Sequence, residues 1–133
     1  TATCMSCHER IRADSQQLVA VHQSHATGNP IAWVRAHDLP DYVYFDHSAH
    51  VTMGVGCKSC HGRVDQMEVV EQVKALTMGW CLECHRYPDP NLRPKEFVTK
   101  MDWIAAGDQL EQAAELRRQH DINPSTDCAT CHR

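Results

Sequence analysis

Cys57-Lys58-Ser59-Cys60-His61 reads as five consecutive positions with one joint task. Two thiols separated by two residues reach the two vinyl groups of one haem and form thioether bonds, and the adjacent imidazole turns to the iron. The pattern recurs at Cys4-Met5-Ser6-Cys7-His8, Cys81-Leu82-Glu83-Cys84-His85 and Cys128-Ala129-Thr130-Cys131-His132. The chain has 8 cysteines, and these motifs consume all of them. Paired zinc sites, redox-active dithiols or disulfides would each explain the pairs, but none of them asks for a histidine after every second cysteine. The reading is four covalently bound haems c. Cys4, Cys7, Cys57, Cys60, Cys81, Cys84, Cys128 and Cys131 attach them, and His8, His61, His85 and His132 are the first axial ligands to iron.

The rest of the composition agrees. With 133 residues, 42% hydrophobic but only 6% aromatic, the side chains make a thin core. Four haems leave about 33 residues for each, so porphyrin faces must do much of the filling. The expected fold is a multihaem cytochrome c domain, mostly irregular, with a few short α-helices packed around haems and little or no sheet. It spans 1–133 as one domain, with haem segments of about 1–30, 31–64, 65–96 and 97–133. A net charge of −4 without a basic stripe gives a nucleic-acid partner no support. No apolar run approaches the roughly 18 residues that span a bilayer. Thioether attachment takes place on the outer side of the cell membrane, so a periplasmic or extracytoplasmic location is expected.

Local signals divide the chain further. Residues 14 to 22 read as a short helix that places Leu18, Val21, His22 and His25 on one face, ended by Gly28-Asn29-Pro30. From Ile31 to Val51, with Pro40 interrupting, extended segments are expected to wrap haem faces. Asp65 and Glu68 have the spacing of a capping box, which predicts a helix through Val69, Val70, Val73 and Leu76 that stops at Gly79. The stretch Tyr87-Pro88-Asp89-Pro90-Asn91-Leu92-Arg93-Pro94 reads as a linker, and Asp108 as the cap of a helix through Leu110, Ala113, Ala114 and Leu116.

Six histidines lie outside the motifs and form the pool for the second axial positions. Within Phe45-Asp46-His47-Ser48-Ala49-His50, two histidines three apart can point at two different haems. His47 is expected to complete the haem attached at Cys57 and Cys60, and His50 to reach a neighbouring one. His37 is the third choice. His22 and His25 rank lower, and His120 reads as a favourable charge at a helix C-terminus. A thioether is the other option, and Met67 is preferred because Met78 is too close to Cys81 to cross to the far face of its own haem. Met5, Met53 and Met101 read as packing residues.

Two blocks carry a more specific resemblance. One runs Trp33-Val34-Arg35-Ala36-His37-Asp38-Leu39-Pro40-Asp41-Tyr42-Val43-Tyr44-Phe45-Asp46-His47 and continues through His50-Val51 and Gly54-Val55-Gly56-Cys57 to Met67. The other is Met78-Gly79-Trp80-Cys81-Leu82-Glu83-Cys84-His85-Arg86. Together with the closing motif they resemble the pentahaem cytochrome subunit of alternative complex III. The resemblance implies an electron-transfer subunit, not catalytic by itself, that relays electrons from menaquinol oxidation in a membrane complex. It implies as partners the other subunits of that complex and a periplasmic cytochrome c or copper-protein acceptor. The family has a transmembrane anchor and a further haem motif ahead of the motif matching Cys4 to His8, so membrane association is expected through that missing N-terminal region or through partner subunits. A stand-alone periplasmic or extracellular carrier or wire is the alternative. A third reading, chemistry at an open haem, requires a five-coordinate iron with Lys, Arg or His facing it.

Overall fold

The computed structural model describes residues 1 to 132, which form seven short α-helices among those residues: α1 Ala2–His8, α2 Val19–Thr27, α3 His47–Thr52, α4 Cys57–His61, α5 Met78–Arg86, α6 Gln109–His120 and α7 Cys128–Cys131. Isolated antiparallel bridges at Val43 with His132 and Val55 with Leu92 take the place of a sheet among the described residues. This is the mostly irregular, short-helix architecture that the crowding of motifs predicts. The chain divides into two compact units, Thr1–Arg35 and Ala36–Arg133.

In the first unit the helix expected at 14 to 22 forms later and in two steps. A 3₁₀ turn, Gln16–Leu18, leads into α2, which ends where Gly28 takes a left-handed φ of 74° and donates its N–H to Ser24 O. Glycine reaches that conformation without steric cost, which is why it punctuates the helix here.

The second unit is built around the segment that reads in sequence as a linker. Leu92 is 1% exposed and packs with Ala113 and Ile122, flanked by Val55 and Leu116. Instead of a free connection, residues 88 to 98 are the centre of the unit, because side chains from a later helix claim the buried polar groups at Asp89 and Leu92. Arg117 reaches the buried Asp89 carboxylate at 3.1 Å, and Gln109 Nε2 donates to Asp89 O and Leu92 O at 3.1 and 2.7 Å. Arg93 is buried, lies over the Trp103 ring at 5.0 Å and donates Nη1 to Lys100 O at 3.0 Å. Pairing of this kind makes burial of charge tolerable and leaves no periodic trace in sequence.

Asp108 caps α6 as expected, its Oδ1 accepting from Leu110 N at 2.7 Å and Glu111 N at 3.1 Å. Asp108→Ala is expected to destabilise the protein by about 1 kcal/mol, read as a lowered denaturant midpoint with an unchanged slope.

The helix expected beyond Asp65 does not form. Only the 3₁₀ turn Val64–Gln66 is present, and residues 67 to 77 are irregular. Both Asp65 carboxylate oxygens accept from Arg63 at 2.9 Å, so the carboxylate is not available to cap. The adjacent β-branched Val69 and Val70 lose side-chain freedom in a helix, and Val73 instead packs against the backbone of Gly62, where an added Cβ would lie 2.7 Å from it. Gly79, expected to stop a helix, lies inside α5, whose start is set by Thr77 accepting from Trp80 N.

Candidate haem-binding site

Each Cys-x-x-Cys-His motif lies on a turn of helix: in α1, in α4, in α5, and in α7 with His132 as its C-cap. A helical turn puts residues three apart on one face, so both thiols of a motif point the same way and the histidine follows beside them. None of the eight cysteines is in a disulfide. In the second unit the motifs lie near one another. Cys57, Cys60, Cys81 and Cys84 are half-buried there, and Asn91 Nδ2 donates to Cys84 Sγ at 3.4 Å.

The segment from His37 to His50 works as a clasp over these three motifs. The ring centres of His47 and His61 are 6.1 Å apart with planes only 9° from parallel, and those of His50 and His85 are 6.0 Å apart. Tyr42 lies 5.8 Å from the His132 ring, and Tyr44 donates its N–H to Cys131 O at 2.7 Å. The sequence suggested extended chain as far as Val51, but α3 begins at His47, capped by Asp46. Asp46 accepts from Ser48 N at 2.8 Å and Ser48 Oγ at 2.7 Å, and these bonds hold its carboxyl below the usual range. Phe45 packs against both histidine rings, at 4.8 Å from His47 and 4.6 Å from His50.

Hydrogen bonds settle which nitrogen of several rings is left over. Nδ1 of His8 donates to Ile11 O at 3.0 Å, that of His85 to Ser125 O at 2.6 Å, and that of His50 to Asp46 O at 2.8 Å. A carbonyl can only accept, so the proton is on Nδ1 and Nε2 keeps its lone pair, the tautomer a metal ligand needs. Metal–imidazole bonds are about 2 Å long, so two imidazoles facing each other across one metal have ring centres about 6 Å apart. The separations of His47 from His61 and of His50 from His85 fit an iron atom between each pair. In the first unit, His22 Nε2 is buried with no partner. Sequence ranked His22 low because helical spacing gave it the same face as His25; its burial, which distinguishes it from the exposed His25, is not visible in spacing.

Residues 49 to 133 match the family model described as cytochrome c3. The chain belongs to the cytochrome c3 family. It is a multihaem electron carrier, and its four cysteine pairs bind four haems c covalently. Among curated proteins none matches this cytochrome. The match covers three of the four motifs and His50, while His37 and His47 lie ahead of it. In this cytochrome c3 chain Met67 caps the turn Val64–Gln66 and is half-buried, and His37 lies against His61 rather than against a motif of its own. No helix among the described residues is long and apolar enough to cross a membrane.

Proposed function

We propose that this cytochrome is the electron-transfer subunit of a membrane-bound quinol-oxidising complex of the alternative complex III type, relaying electrons at the periplasmic face to a cytochrome c or copper-protein acceptor. The observation that carries the relay is the clasp, which brings residues from one short segment against His61, His85 and the last motif. His8, His61, His85 and His132 are the proximal ligands. His47 is the distal partner of His61, His50 that of His85, and His22 that of His8; Met67 is assigned to the remaining iron.

A haem held by two axial side chains exchanges one electron with little change of ligation, at a potential set by its ligands, burial and nearby charge. The chain's own residues supply spacing and order. The clasp supplies the spacing by bringing His47 to His61, His50 to His85 and Tyr44 to Cys131 of the last motif. Exposed apolar side chains in the second unit suit a protein neighbour: Ile104 is 84% exposed and Val69 80%. Membership of the complex rests on the resemblance of residues 33 to 67 and 78 to 86. Protein isolated from native membranes is expected to co-purify with integral membrane subunits and to be reduced by a menaquinol analogue within that assembly. Recovery solely as an isolated chain that the analogue cannot reduce would favour the stand-alone carrier.

A further inference from the structure

His37 was expected to bind an iron, yet its Nε2 lies 3.2 Å from Nδ1 of His61, with ring centres 4.5 Å apart and planes at 73°. Both rings are half-buried in the second unit. His8 and His85 give their Nδ1 protons to backbone carbonyls. His61 alone of these three has another imidazole as its partner. If His61 holds iron through Nε2, as proposed above, its proton is on Nδ1 and is donated to His37. The nitrogen that His37 would use to reach an iron of its own is then occupied.

We infer that His37 is a positioning residue that, by accepting the His61 Nδ1 proton, orients that imidazole and holds the haem at Cys57 and Cys60 at a lower reduction potential than a ligand without an acceptor would. The reasoning is electronic. A ligand imidazole whose N–H is engaged by a good acceptor becomes more basic and donates more charge to its metal, which favours the more positive, oxidised iron. An imidazole nitrogen lone pair is a strong acceptor in a half-buried site, where competing water is reduced. The angle between the rings places the His37 lone pair side of one ring at the edge of the other, as an N–H···N bond requires. His47, whose ring centre is 6.1 Å from that of His61, is a second neighbour of this one proximal ligand.

The test uses the full haem-loaded protein with His37→Leu and His37→Asn, followed by EPR-monitored redox titration and low-spin haem count. The loss of one hydrogen bond of roughly 1.4 kcal/mol corresponds to a tenfold change in an equilibrium constant. His37→Leu is therefore expected to leave all four haems low-spin and to favour reduction of one of them about tenfold, which is about 59 mV for one electron. His37→Asn, whose side-chain oxygen can accept the same proton, is expected to recover part of the shift. A high-spin haem in both variants would overturn the inference, because it would make His37 an iron ligand. Four low-spin haems with unchanged potentials would overturn it too. A His61→Ala protein with wild-type spectrum and potentials would instead remove the axial-ligand reading on which the inference rests.

Discussion

His47→Ala is expected to convert one of the four haems from low to high spin and to make it bind added cyanide, while three stay low-spin. The expectation follows from the near-parallel rings of His47 and His61 at 6.1 Å, a separation that one metal between two imidazoles accounts for. Removing one imidazole leaves a five-coordinate iron, since the other two histidines of the clasp are engaged elsewhere, His37 on Nδ1 of His61 and His50 opposite His85. His50→Ala should do the same to a different haem, that of Cys81 and Cys84, and the double variant should show two high-spin haems. Because the two histidines share the short helix α3, their effects on spin state should add while their effects on stability couple. The measurement is the near-infrared and EPR spectrum of each variant at equal haem content. Spectra identical to wild type would dissolve the assignment of both distal ligands.

Gly54→Ala is expected to cost about 3 kcal/mol. Gly54 has φ of 82°, a left-handed conformation that costs an L-residue roughly 1–2 kcal/mol. Its added Cβ would also lie 2.6 Å from the backbone oxygen of Arg93, which cannot move aside as a flexible side chain would. Overpacking of that kind costs about 1–3 kcal/mol more. The site offers little relaxation, because Gly54 O accepts Arg93 N–H at 2.9 Å and the neighbouring Gly56 donates to Asn91 O at 3.1 Å. For a chain of this size the loss corresponds to a fall of roughly 10 °C in the thermal midpoint. Far-UV circular dichroism would read it, with Gly107→Ala, whose Cβ would meet nothing, as the neutral comparison. A midpoint shared by both variants would mean that the backbone of Arg93 does not press on Gly54.

What could be read in the sequence was what is local. The four motifs, the Asp108 cap, the stop at Gly28 and the scarcity of sheet all depend on residues adjacent in the chain, and each stands in the structure. What misled depends on partners far away. Asp65 has the spacing of a cap, but Arg63 takes its carboxylate. Residues 88 to 94 have the composition of a linker, yet Arg117 and Gln109, supplied by a later helix, let Asp89 and the backbone around Leu92 be buried. His37 and His47 are both in a histidine-rich stretch, and only the distances to His61 separate a partner on its Nδ1 from one facing it across 6.1 Å.

The clasp also bears on how the second unit comes together. His37 meets a ring 24 positions downstream, while Val43 and Tyr44 meet the last motif at the far end of the chain. Contacts so distant in sequence must close long loops before they return any stabilisation, which slows assembly. As the chain emerges N-terminus first, the clasp is made before any motif it closes upon. Its contacts with His61 and His85 can form first, while those of Val43 and Tyr44 must wait for the last motif.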